Sequence, residues 1–212
     1  KLLPIAKKQP LLKPFFLLTD ALISMGSEIR TVFYRQKQNP HIRFEVLSTP
    51  DEQCYDHSKN CNQNLFFGRR GEELKWIFKF PWITEKNKEV KDKYSFSSYS
   101  KSFYYRIIKI FRKEEFNGFF IFSVEEGHLK TLYFSVQENL EKEIADYLKN
   151  ICIEKRIEVA TVYNSGVANR LFERKFPFLH IKRYGQKIYS SFQIKDADNS
   201  TFQDGDGDVI FT

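Results

Sequence analysis

Three cysteines in 212 residues are too few, and odd in number, for the dense disulfide framework of a small secreted domain. Cys54, Cys61 and Cys152 are therefore expected as free thiols, and the chain is expected in the reducing cytoplasm. Long apolar runs are also missing. Residues 11–24 are apolar, but they carry Lys13, Pro14 and Asp20 and are shorter than the ~20 residues that cross a bilayer, so no membrane span is expected. No Lys/Arg run exceeds two residues and no RNA- or DNA-binding motif is present, so nucleic acid is not an expected partner. No secretory signal is visible, although a chain that begins at Lys1 leaves a native start upstream open. Internal repeats and low-complexity segments are absent.

What is present suffices for a core. Hydrophobic residues make up 42% and aromatics 17%, with 22 Phe, which excludes wholesale disorder. The net charge of +7 is uneven: residues 1–50 hold eight Lys/Arg against three Asp/Glu, and residues 195–212 hold one Lys against five Asp. The basic end suits an anionic partner, but a solvated basic surface is the plainer reading.

Hydropathy periods give the elements. Leu18, Leu22, Met25, Ile29 and Val32 recur at helical spacing, predicting a helix over about 14–35 that needs a partner surface. A short strand is expected at Ile42–Leu47 and a short helix at Glu72–Phe80; residues 83–101 read as a surface loop. Three antiparallel strands follow near 103–112, 118–125 and 129–136, with turns at Asn117-Gly118 and Glu126-Gly127. A helix is expected near 139–155, with Leu140, Ile144, Tyr147, Leu148 and Ile151 on one face. A buried strand at Ile157–Tyr163, a helix carrying Val167, Ala168, Leu171 and Phe172, and a closing hairpin, Phe178–Arg183 with Gln186–Phe192, complete the set.

Candidate chemistry is sparse. Cys54, His57 and Cys61 have a loosely metal-like spacing but lack the fourth ligand of a structural zinc site, so no metal is expected. Asp204, Asp206 and Asp208 alternate with glycines; they suit calcium, or a general base if one pKa is raised, or simply an acidic tail before a strand at Val209–Thr212. His41, His57, His128 and His180 are scattered, and no Ser/His/Asp or Cys/His arrangement is legible.

Strand, strand, helix, strand, helix over roughly 100–192 resembles the GNAT (acyl-CoA N-acyltransferase) superfamily. In that family a helix N-terminus meets the CoA pyrophosphate across a loop of type Gln/Arg-x-x-Gly-x-Gly/Ala, because free backbone N–H groups and the helix dipole favour anions. Here Leu140, Glu143 and Ala145 take the three defining positions, and Ala145 fits. Glu138, Glu141 and Glu143 set negative charge beside that anion, so CoA binding is expected to be weak. A second family pattern, Asn-x-x-Ala-x-x-Leu-Tyr-Glu-Lys-x-Gly-Phe, is similar to the run from Asn164 to Phe176, in which Ala168, Leu171 and Glu173 match. The family Tyr, often the general acid, is Phe172 here, and a phenyl ring has no proton to give. Arg69, Glu72, Leu74 and Trp76 resemble an Arg-x-x-Glu-x-Leu-x-Trp pattern of one subgroup; core packing explains Leu74 and Trp76 equally well, and Arg69 with Glu72 reads as a surface pair.

The resemblance implies an α+β fold: a mixed, mainly antiparallel sheet flanked by helices. It implies a GNAT-like domain over 46–212 after a helical extension over 1–45, and a chain that is the second half of a longer two-domain protein. It implies transfer of an acyl group from acyl-CoA, or an aminoacyl group from a carrier, to a small-molecule or peptide amine. Phe134, Ser135 and Val136 would bond the pantetheine arm through their backbone, with Asn139, Asn164 and Phe172 beside the cofactor. Tyr133 or Tyr163 would replace the missing acid. The alternative is a non-catalytic relative that keeps the fold to bind a ligand or partner.

Overall fold

A computed structural model of the protein describes residues 39–61, 69–85, 97–137 and 139–183, together with helical backbone at Pro14, Leu18, Thr19, Ala21, Met25 and Gly26. The chain divides into two compact units, Lys1–Lys37 and Gln38–Thr212. In the first, Leu18 and Met25 of the expected apolar helix face are exposed.

The second unit is α+β. Its described elements run β1 (Ile42–Leu47), α1 (Glu52–Cys61), α2 (Gly71–Lys79), β2 (Ile83–Glu85), β3 (Ser98–Ser100), β4 (Phe103–Arg112), β5 (Glu115–Glu125), β6 (His128–Val136), α3 (Glu141–Glu154), β7 (Val159–Thr161) and α4 (Ser165–Glu173). Five strands form one sheet in the order β1-β4-β5-β6-β7. The first three pairings are antiparallel and β6–β7 is parallel, so β6 is the fourth strand across the sheet. β1 straddles the 45/46 boundary expected from the sequence and lies wholly within the second unit.

Alternation along the central strands sends side chains into two layers. Ile107, Phe119 and Ile121 meet Cys54 and Tyr55 of α1 and Leu74 and Ile77 of α2 on one face. Ile108, Ile110, Phe120, Phe122, Val124 and Leu129 meet Ile144, Leu148 and Cys152 of α3 and Val167 and Leu171 of α4 on the other. The sheet is thus sealed by a helix pair on each face.

Two-residue loops close both hairpins. Lys113 and Glu114 have φ of 50° and 66°, and Glu126 and Gly127 have 45° and 82°. Positive φ at both loop positions matches the right-handed twist of paired strands. The turn expected at Asn117-Gly118 is therefore misplaced. Ile110 pairs with Gly118 and Phe111 with Phe116, so Asn117 is the extra residue of a β-bulge inside β5. Gly118 is required there: its φ is 121°, and a Cβ would stand 2.2 Å from the Ser135 carbonyl oxygen. A second bulge falls in β6, where Ile121 pairs with Tyr133 and Phe122 with Thr131, leaving Leu132 over. The bulge puts Leu132 and Tyr133 together on the α1–α2 face.

One helix was not expected, and three further expectations need correction. Residues 52–61 form a helix that their polar composition conceals; Asp51 starts it by accepting from Cys54 N at 3.0 Å. The expected loop at 83–101 contains a parallel pair, β2 with β3. The strand expected as buried over Ile157–Tyr163 shortens to the three residues of β7, and Val159 is 55% exposed. Phe178–Arg183 is not a strand, and Gln186–Phe192 lies outside the described residues, as do Asp204, Asp206, Asp208 and Val209–Thr212.

Candidate functional site

The site begins where β7 leaves β6. Their ladder covers only His128–Lys130 against Val159–Thr161, while β6 stays in register with β5 as far as Val136. A buried side chain ends the ladder. Thr131 Oγ1 accepts from Tyr163 N at 3.2 Å and donates to the Thr161 carbonyl at 3.5 Å, taking the place of a backbone rung. His128 Nε2 and Thr161 Oγ1 meet at 2.9 Å one step earlier. Burial, with help from Lys130, lowers the His128 pKa.

Phe134, Ser135 and Val136 therefore occupy the part of β6 beyond the β7 ladder, each paired with β5. Phe134 stacks on Phe120 at 5.7 Å. Ser135 is buried on the opposite face, where its hydroxyl lies 3.0 Å from His57 Nδ1 of α1. The His57 ring packs edge-on against Phe116 and Phe119, and burial lowers its pKa, which favours the neutral imidazole. This contact joins residues 78 apart in sequence. A single hydrophilic helix turn gives no sign of it, and the sequence offers no signal for it.

Three residues after Val136, Asn139 takes φ 67° and accepts from Arg112 Nη2 through its carbonyl at 3.3 Å. α3 then starts at Leu140, whose apolar side chain offers no cap to its first N–H groups. Glu141 and Glu143 stand in that first turn. Glu141 leans on α4, where a Cβ on Gly166 would come within 2.8 Å of its Cγ.

Asn164 caps α4, accepting from Val167 N through Oδ1 at 2.9 Å, so its side chain has a structural task. Phe172 is half-buried with the Arg183 guanidinium 4.6 Å over its ring. Of the two tyrosines, Tyr133 is wholly buried and donates its hydroxyl to the Arg69 carbonyl at 2.9 Å. Tyr163 is half-buried where β7 ends.

Around Arg69 the sequence reading changes. Arg69 is buried rather than one half of a surface pair, and Glu72 pairs with Lys75 at 3.5 Å. Leu74 is fully buried, but Trp76 is 39% exposed.

Cys54 and Cys152 are free, buried thiols, and burial pushes both up to about 12, which suits packing rather than nucleophilic chemistry. Among the described residues no group of three His, Cys, Asp or Glu side chains is placed to hold a metal ion, and no helix is long and apolar enough to cross a membrane. Models of known protein families, curated proteins and solved structures yield no match to the chain.

Proposed function

We propose that the chain is a GNAT-like N-acyltransferase that moves an acyl group from acyl-CoA, or an aminoacyl group from a carrier, to an amine by direct attack. One observation carries the reading: β6 stays paired with β5 to Val136 after its ladder with β7 has ended at Lys130, and the strand leads directly to the uncapped start of α3. An extended pantetheine arm needs backbone partners beside a parted strand, and a pyrophosphate needs free N–H groups at a helix start. The order strand, strand, helix, strand, helix over β5, β6, α3, β7 and α4 supports the same reading.

The fit is uneven. The backbone of Phe134–Val136 suits the arm, and Asn139 lies between β6 and the start of α3. Glu143 suits the phosphates poorly. Tyr163 is the better acid of the two tyrosines, because the Tyr133 hydroxyl already serves Arg69. Unbridged Cys54 and Cys152 support a cytoplasmic setting.

A second reading has specific support. Phe172 has no proton to give and is covered by Arg183, and Glu143 opposes phosphate. These features favour a non-catalytic relative that binds a ligand or partner. Calorimetric titration with acetyl-CoA and CoA, followed by thiol release in the presence of amines, separates the two. Binding with amine-dependent release supports the enzyme. Binding without release supports the relative, and no binding overturns the acyl-CoA reading.

A further inference from the structure

We propose that Thr131 is a positioning residue of this site: its hydroxyl holds β7 off β6 and so keeps the backbone of Phe134–Val136 open to the pantetheine arm. The inference rests on the acyl-transfer reading and names the side chain that maintains its cleft.

The register shows what the hydroxyl replaces. Lys130 pairs with Thr161 at the end of the ladder, so the next step sets Thr131 opposite Val162. In a parallel ladder a residue bonds the two groups that flank its partner: its N–H donates to the carbonyl before, and its carbonyl accepts from the N–H after. Around Val162 those groups are the Thr161 carbonyl and the Tyr163 N–H. The Thr131 hydroxyl meets both, accepting from Tyr163 N at 3.2 Å and donating to the Thr161 carbonyl at 3.5 Å. A hydroxyl has one proton to donate and lone pairs to accept with, so one side chain can stand in for both halves of a rung. Thr131 is fully buried, so water does not compete for it.

The exchange changes the spacing. A side chain set between two strands holds them further apart than the about 4.8 Å of a backbone ladder. The two β7 groups that would carry the ladder one step on are also engaged. Leu132, the extra residue of the β6 bulge, follows at once, and a bulge bends its strand at the same point. Past the bulge, Phe134, Ser135 and Val136 stay paired with β5, so β6 keeps its support on one side while it parts from β7 on the other. Valine has nearly the shape of threonine but no hydroxyl, so it can neither hold Tyr163 N nor reach the Thr161 carbonyl. Serine can do both.

The test measures acetyl-CoA affinity by calorimetry and amide hydrogen exchange by NMR on wild type, Thr131→Val, Thr131→Ser and Asp51→Ala. Asp51→Ala is the control for stability alone, because it acts at the start of α1 and touches neither β6 nor β7. Wild type is expected to bind acetyl-CoA and to exchange the Tyr163 amide slowly. Thr131→Val should weaken binding by about 10-fold, the scale of one or two hydrogen bonds to the arm, and should speed exchange at Tyr163. Thr131→Ser should restore both. Asp51→Ala should keep the wild-type affinity despite its lower stability, which separates loss of the cleft from loss of the fold. If Thr131→Val binds as wild type does, or Thr131→Ser loses as much as Thr131→Val, the role of Thr131 is overturned while the donor site stands. Should Thr131→Val not fold, the wild-type Tyr163 amide decides: slow exchange with full affinity in Thr131→Ser supports the role, and exchange at the rate of a free amide overturns it. If acetyl-CoA does not bind wild type, the acyl-transfer reading falls and takes the Thr131 role with it.

Discussion

Gly118→Ala should be among the most damaging single-methyl changes in this protein. Two penalties act together. At φ 121° the backbone lies where L side chains rarely go, a strain of roughly 1–3 kcal/mol. The new methyl would also stand 2.2 Å from the Ser135 carbonyl oxygen and 2.7 Å from Val136 Cα. Both are backbone atoms of the neighbouring strand, so relief requires β5 and β6 to separate. Overpacking of that kind adds about 1–3 kcal/mol, for a total of roughly 2–6 kcal/mol. Gly127→Ala isolates the first penalty: φ is 82°, but the nearest outside atom to the new methyl is Glu158 Cγ at 3.6 Å, an ordinary contact. That variant should lose only about 1–3 kcal/mol. Urea unfolding of the three proteins under identical conditions measures both losses from midpoint and slope. If Gly118→Ala is no less stable than Gly127→Ala, the bulge geometry assigned to β5 is wrong.

Other outcomes follow from the same contacts. Asp51→Ala should cost about 1–3 kcal/mol in urea unfolding at neutral pH, because it leaves the buried Lys109 ammonium without its partner and removes the cap of α1. Burial raises the Asp51 pKa, but the hydrogen bonds from Lys109 and Cys54 outweigh it and hold the carboxyl below its ordinary 3.8. Its share of stability is therefore complete above about pH 3.8 and lost as pH falls through the lower folded value, so Asp51→Asn should flatten the acid limb of an unfolding–pH profile. Glu143→Gly should tighten acetyl-CoA binding by several-fold at low ionic strength, with a smaller gain in high salt, as calorimetry can read. In native protein Cys54 and Cys152 should resist a thiol reagent that finds three thiols after unfolding without reductant; a count of one in the unfolded chain would mean a disulfide.

Elements with a strong period were the ones readable in advance. β4, β5, β6 and α3 carry aromatic or β-branched alternation, or a full apolar helix face, and the β5–β6 join falls at the expected Glu126-Gly127. α1 was hidden because its inward face consists of Cys54, Tyr55 and Ser58, too small and too polar to register as a stripe. Asn117-Gly118 misled because the pair that favours a hairpin turn also favours a bulge, and Lys113-Glu114 carries the turn without a glycine. Thr131 gave no warning that its hydroxyl would end the β7 ladder, so β7 is shorter than its apolar sequence suggests. Phe134–Val136 was singled out from the family resemblance alone, whereas His57 and Ser135 meet only through tertiary packing.

The central claim is that acyl-CoA binds along the end of β6 and at the start of α3. Backbone amide NMR during an acetyl-CoA titration tests it residue by residue. Saturable shifts should concentrate at Ser135, Val136 and residues 141–143, reaching half-saturation no higher than about 1 mM, the upper end of the ordinary range for enzyme substrates. Shifts that saturate elsewhere on the protein, or no saturable shifts at that concentration, would contradict it.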